Sequence, residues 1–375
     1  MSSTPNATSA PSTDLIKPEQ AAVACLVMRM SRAKAFLAIA EHGSARAAIS
    51  KTSATHKAPK RVARGAEPEA LIALCERLQL GLTTYFDSDF PPALRHIPDP
   101  PLVLYVRGDV ACLRQPCVAV VGARRCSRAG AEMATELAGA LLKGGLTVIS
   151  GLAHGIDASS HRGALAALAG DSQGTNTVAV MGAGLASVYP RSNRQLAEAL
   201  VGAGGALVSE YSPTIPPAKH QFPERNRLIS GLSSGVVIVE AGERSGSLIT
   251  ARFALEQGRE VMAVPGAVAP GFSAGCHRLL RDGAALVEGA ADVFEALGYA
   301  PTQGSEQNDE PTGVPASLGA VLAAVQCVVT TLDELVTATG LAPAELAAKL
   351  LELELAGFVH QVAEGYIRRP FSRSW

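Results

Sequence analysis

The sequence predicts an α/β protein: an extended Rossmann-like parallel sheet with helices on both faces, a small helical N-terminal region before it and a winged helix after it. Three observations carry that prediction. From Val118 onward, short apolar runs of strand length alternate with amphipathic stretches; glycine-rich turns follow those runs; and a polar segment separates them from a last group of helical patterns that ends in two short strand-like runs.

Taken in order, residues 1–17 are mostly Ser, Thr, Pro and Ala, a composition that cannot offset the entropy of ordering, and are expected to form a disordered tail. Residues 18–95 read as the helical N-terminal region, with Val23, Leu26, Val27, Met30, Phe36, Leu37 and Ile39 at helical spacing. The basic stretch SATHKAPKRVARG at 53–65 interrupts it and reads as a solvated loop rather than a dedicated DNA contact. Residues 96–299 are assigned to the Rossmann-like domain. Its apolar runs at 118–121, 146–149, 177–181, 206–208, 236–239 and 260–264 are strands of a parallel sheet, and 129–143, 192–201 and 247–257 are crossover helices. Residues 300–313, with TQGSEQNDEPTG at their centre, form a linker. In 314–375, three helical patterns (318–325, 331–339, 343–357) precede two strands (358–361, 365–368), the order of a winged helix. The would-be recognition helix carries Glu345, Glu352 and Glu354 against Lys349, which favours a protein contact or simple packing over reading DNA.

Composition narrows the function. With 375 residues, 47% hydrophobic, 36 glycines and 4% aromatics, the chain is globular and rich in tight turns. A net charge of -1 supplies no global attraction to a polyanion, so any nucleic-acid site must come from locally clustered cations. Seven cysteines without a C-x-x-C pair, and no leader ahead of them, read as reduced thiols of a cytoplasmic protein. No apolar run approaches the length of a membrane span.

In an open parallel sheet, ligands collect where loops leave the carboxyl ends of the strands. The first such loop, GARRCSRAG, combines Gly122 with Arg124, Arg125, Ser127 and Arg128 at a helix start, where backbone N–H groups, helix dipole and guanidinium forks favour a phosphate. The second offers Ser150 and Gly151, and the third Arg191 and Asn193. Lys219, Phe222, Arg225, Asn226 and Arg227 place cations around one aromatic ring, and Gly246 and Ser247 precede another helix. Phe222 reads either as a core side chain or as a platform on which a base stacks. Phosphate-friendly loops this numerous suit an extended polyanion better than one mononucleotide. Neither a full G-x-G-x-x-G nor a G-K-[ST] occurs, so NAD and Walker-type ATP sites are not supported and no cofactor is expected. His154, His161 and His220 lack metal-ligand spacing, and no nucleophile elbow surrounds Ser150.

Together, VAVVGARRCSRAG, VISGLAHGIDASSHRGAL, VAVMGAGLASVYPRSN, LVSEYSPTIPP, FPERNRLISGLSSGVVIVEAGERSGSLITARFALEQGREVMAVPG and GCHRLLRDGA closely resemble the DNA-processing protein A (DprA, or Smf) family. The resemblance implies a cytoplasmic homodimer that is not an enzyme. Such a protein binds single-stranded DNA without sequence preference, protects incoming strands during natural transformation and hands them to the recombinase RecA. It also implies a phosphate pocket at Gly122, Arg124, Ser127, Ser150, Gly151, Arg191, Asn193, Arg225, Asn226 and Arg227, with Gly246 and Ser247 nearby. Ala123 and His154 stand where many members have serine and arginine, each withdrawing one potential phosphate contact.

The alternative is a nucleotide phosphoribohydrolase of a related Rossmann-like group, whose P-G-G-x-G-T-x-x-E signature supplies a catalytic glutamate; the corresponding stretch, EAGERSGSLIT, has no glutamate at that spacing. On the binding reading, replacing Arg124 and Arg225 together by alanine abolishes strand binding and leaves the fold intact.

Overall fold

The computed structural model describes residues 16–55, 67–168, 176–269, 271–301, 316–325, 330–356, 358–362 and 365–368. Apart from their edges, the expected tail, basic stretch and linker lie outside the described residues.

Four helices open the chain: α1 (Pro18–Arg29), α2 (Arg32–His42), α3 (Ala45–Thr55) and α4 (Pro68–Arg77). Pro18 starts α1 where a missing N–H costs nothing, and the Gln20 side chain accepts a bond from the Lys17 N–H at 2.8 Å. Gly43, at φ 75°, ends α2 in the left-handed conformation. The small side chains of Ala21, Ala22 and Ala24 are buried and let α1 pack closely among its neighbours.

The chain then builds one nine-stranded sheet from β1 (Gly81–Thr84), β2 (Val103–Gly108), β3 (Cys117–Val121), β4 (Thr147–Ser150), β5 (Thr177–Val180), β6 (Ala206–Ser209), β7 (Gly235–Ile238), β8 (Glu260–Ala263) and β9 (Ala285–Leu286). Its order is β1-β2-β6-β5-β4-β3-β7-β8-β9. From β6 to β9 every pairing is parallel, while β2 runs antiparallel to both β6 and β1. Neither β1 nor β2 is among the strands expected from sequence. Val103 to Val106 are all buried and show no alternation, so periodicity alone cannot assign them to a strand.

Helices α5 (Pro92–Arg95), α6 (Arg128–Lys143), α7 (Ile156–Ala167), α8 (Arg194–Gly202), α9 (Gln221–Gly231), α10 (Ser247–Glu256), α11 (Ala274–Arg281) and α12 (Ala290–Ala296) cover both faces. Alternate strand residues sort them. Ala119, Val121, Val236 and Ile238 pack with α5, α9 and α10, whereas Val118, Val120, Val237 and Val239 pack with α6, α7 and α12. The N-terminal helices share a core with the second face near the β1 edge, through Leu26, Leu71, Tyr105 and Leu207.

After the linker come α13 (Ala316–Ala324), α14 (Leu332–Thr339) and α15 (Pro343–Leu355), then the hairpin of β10 (Val359–Val362) and β11 (Gly365–Arg368). Thr331 caps α14 reciprocally: the Glu334 N–H donates to its hydroxyl at 3.3 Å and its own N–H donates to the Glu334 carboxylate at 2.8 Å. Leu335, Leu346, Leu350 and Leu353 close a separate small core. The three helices and two strands follow the expected winged-helix order.

Candidate nucleic-acid interface

From β3 the chain moves outward through β4, β5 and β6, then returns to add β7 on the opposite side of β3. The loops leaving β3 and β7 therefore part, and a crevice opens at the carboxyl ends of the strands. An open cleft of about 600 Å³ lies there. Its walls are the loop after β3 (122–125), the start of α9 (Phe222, Arg225, Asn226) and the loop entering α10 (244–247). Gly122 is required by space: a Cβ there would sit 2.6 Å from the Ile156 side chain and 2.9 Å from the Glu240 carbonyl.

Phe222 is half-buried and lies on the Gly182 backbone, where a Cβ would come within 2.9 Å of the ring. The Tyr189 ring lies 5.4 Å from it, tilted by 36°, and the Arg124 guanidinium lies over it at 5.5 Å from its centroid. Phe222 thus contacts both an exposed cation and an exposed ring. Arg124, Arg125 and Arg244 are exposed at the cleft, and Arg191 and Lys219 are exposed on the loops beside it. None of these five has an ion-pair partner among the described residues.

Other expected contacts are engaged within the fold. Ser127 caps α6, accepting from the Gly130 N–H at 3.0 Å, and its hydroxyl donates to the buried Glu240 carboxylate at the end of β7. The Ser127 N–H donates to the same carboxylate at 2.9 Å, so the anion at the α6 N-terminus is Glu240 rather than a phosphate. Ser150 donates to the Val120 carbonyl at 2.7 Å, and the Asn193 amide donates to the Leu152 carbonyl at 2.9 Å, bracing the loop after β4. Arg128 is exposed and paired with Glu132 at 2.7 Å.

The run Arg225-Asn226-Arg227 is helical, and successive helix positions diverge by about 100°. Arg225 turns inward, 4% exposed, to donate to the carbonyls of Gly151 (3.0 Å) and Val180 beneath the cleft. Burial lowers its pKa to about 10, with Asp157 opposing the shift, so it stays charged at neutral pH. Burial also raises the Asp157 carboxyl above its ordinary range, against the pull of Arg225 and of the Ala153 N–H. Asn226 faces the cleft and reaches the Gly246 carbonyl at 3.4 Å. Arg227 points elsewhere, buried against Glu210 (2.5 Å) and Asp99 (3.1 Å), both of which also bind Arg32.

Gly122, Arg124, Arg125, Phe222, Arg225, Asn226, Gly246 and Ser247 therefore meet at one cleft, with Gly151 under Arg225. Ser127, Arg128, Ser150, Asn193 and Arg227 do not line it, and Arg191 and Lys219 stand outside its lining. The sequence reading missed Arg244 and Phe272, which do line it. Arg244 was detectable, since it follows a strand end two residues before Gly246. Phe272 had no local signal.

The model for the DNA recombination-mediator protein A family matches residues 81–298, and that for the DprA winged helix domain matches 305–365. Protein Smf of Escherichia coli is 41% identical over 290 residues, covering 75% of this chain and 76% of that protein. DNA processing protein DprA of Streptococcus pneumoniae is 43% identical over 208 residues, covering 56% and 71%. Among solved structures, DprA from S. pneumoniae superposes with a TM-score of 0.59 at 33% identity, covering 74% of this chain and 97% of that one. DNA processing protein A from Helicobacter pylori, solved for its single-stranded DNA binding mode, gives 0.51 at 29% identity, covering 58% and 95%.

Proposed function

Because the chain belongs to the DNA recombination-mediator protein A family, we propose that it binds single-stranded DNA without sequence preference, shields incoming strands and passes them to the RecA recombinase, working as a cytoplasmic homodimer. One observation carries the binding reading: Arg124, Arg125 and Arg244, exposed and without ion-pair partners among the described residues, line the switch-point cleft together with Phe222, over whose ring Arg124 lies. Guanidinium groups hold phosphates, and ring faces accept any base, so the chemistry grips a strand without reading it. The relative from H. pylori, whose solved structure concerns single-stranded DNA binding, supports this. Transfer to RecA and pairing of two copies rest on the family resemblance, and strand-exchange and sedimentation assays address them.

The hydrolase alternative has one feature in its favour, a buried Asp157 of raised pKa lining the cleft. Against it, that carboxylate faces Arg225 and the Ala153 N–H, and Glu240 is held by Ser127. Anisotropy titrations with single strand, duplex and nucleoside monophosphate separate the two. The expected order places single strand first, with Arg124→Ala weakening it. Preference for the monophosphate with release of free base establishes the enzyme instead.

A further inference from the structure

The sheet topology puts more than the cleft on its carboxyl rim. Thr84 pairs with Val103, and β2 is antiparallel to β6, so the end of β1 stands on the same rim as the ends of β3 to β8. Tyr85 and Phe86 leave β1 there, and α2 starts there too, tied by Arg32 to Glu210 at the end of β6. Phe36, one turn into α2, stacks on Phe86 at 5.9 Å and meets Tyr85 edge-on at 6.0 Å.

The chain is poor in aromatics, yet those it exposes are not scattered. Among the described residues the exposed aromatic side chains are Phe36 (42%), Phe86 (47%), Tyr189 (43%) and Phe272 (43%), and all four leave carboxyl strand ends or pack on those that do. Phe272 lines the cleft on the β8 side, Tyr189 backs Phe222 beyond β5, and Phe36 with Phe86 marks the β1 edge. Single exposed apolar side chains are ordinary, whereas adjoining ones mark a binding surface, and Phe36 and Phe86 adjoin. Charge along the path is mixed: Asp99 and Glu210 are answered by Arg32 and Arg227, whereas Asp87 and Asp89, which follow Phe86, have no ion-pair partner among the described residues, so ring faces rather than cations are what the β1 edge offers a strand.

We infer that the Phe36–Phe86 pair is a second stacking platform for the same DNA strand, reached along the rim from the cleft past Tyr189. This rests on the single-strand reading proposed above. Five strand steps separate β3 from β1 in the sheet order. At about 4.8 Å each they span roughly 24 Å, which about seven stacked nucleotides cover at ~3.4 Å apiece and fewer cover when stretched. A short oligomer thus fills the cleft alone, and a longer one reaches both platforms.

The test is anisotropy with thymidine oligomers of ~3 and ~20 nucleotides, lengths that bracket this span even when the shorter is stretched, against the full chain and two variants, Phe36→Ala/Phe86→Ala and Phe36→Leu/Phe86→Leu. Both variants are expected to bind the 20-mer about tenfold more weakly and the 3-mer as the parent does. The leucine pair keeps apolar bulk but removes the ring face, so a loss confined to the alanine pair overturns stacking. Unchanged affinity at both lengths makes the patch a protein-facing surface and overturns the inference while leaving the cleft standing. Failure of the parent chain to bind either oligomer overturns the single-strand reading itself.

Discussion

Two arginines that look alike in the sequence have opposite roles in the structure. Arg124 is exposed above Phe222, whereas Arg225 is buried, holding two backbone carbonyls and facing Asp157. The expectation that both can be removed without harm to the fold therefore fails for Arg225. Arg225→Ala leaves Asp157 without its cation, and a urea melt is expected to show a loss of about 3–5 kcal/mol. Arg124→Ala should leave the melt unchanged and weaken the strand complex. His161 makes a separate prediction. It is fully buried, and because Thr177 gives its only hydroxyl proton to the Val148 carbonyl, the Nδ1–H of His161 donates to Thr177 Oγ1 at 2.7 Å. Nε2 has no hydrogen-bond partner among the described residues. Burial, with Arg225 and Arg162 adding to it, drives the His161 pKa down to about 3. Between pH 6.5 and 3 the unfolded chain therefore takes a proton that the folded chain refuses, and stability falls with pH by up to about 1.4 kcal/mol per unit from this group. Chemical denaturation of His161→Gln beside the parent should show that slope missing from the variant.

At the scale of elements, the decisive object is α9. Its first turn contains Pro223, which needs no N–H partner there, and the helix deals its basic run to three directions. The α6 N-terminus, which the sequence offers to a phosphate, receives Glu240 from the neighbouring strand end, so helix geometry alone did not say which anion would arrive. Beneath the cleft, α6 and α7 pack unusually closely. A Cβ on Gly163 would fall 2.0 Å from the Thr135 carbonyl oxygen, backbone that cannot rotate away. Gly163→Ala is expected to push the helices apart and cost about 1–3 kcal/mol, read as a lower urea midpoint with oligomer affinity unchanged where the variant is still folded.

For the molecule as a whole, a net charge of -1 does not prevent cations from gathering locally on the loops at the carboxyl ends of the strands. Arg124, Arg125, Arg191, Lys219 and Arg244 carry charge that no carboxylate answers among the described residues, while Arg32, Arg128 and Arg227 spend theirs on internal pairs. If those five cations meet phosphates, the logarithm of the binding constant should fall with log salt at a slope of about −3 to −4, each contact contributing ~0.7. Titrations across a salt series check this, and Arg244→Ala should flatten the line by about one contact. A flat line would show that the cations meet no phosphate.

The sequence by itself determined the parallel core, the positions of its principal strands, the winged-helix order and the strand-end loops from which a ligand site must be built. Those features follow from local periodicity and turn chemistry, which each short segment carries alone. Only the tertiary structure decided which polar side chains in those loops remain free. Ser127 was claimed by Glu240, Arg227 by Glu210 and Asp99, and Arg225 by two carbonyls, all partners distant in sequence. The same holds for the β1–β2 edge and for the meeting of Phe36 with Phe86. A residue's type fixes what it can bond, but which partner arrives depends on chain segments brought together by folding, and no local pattern records that.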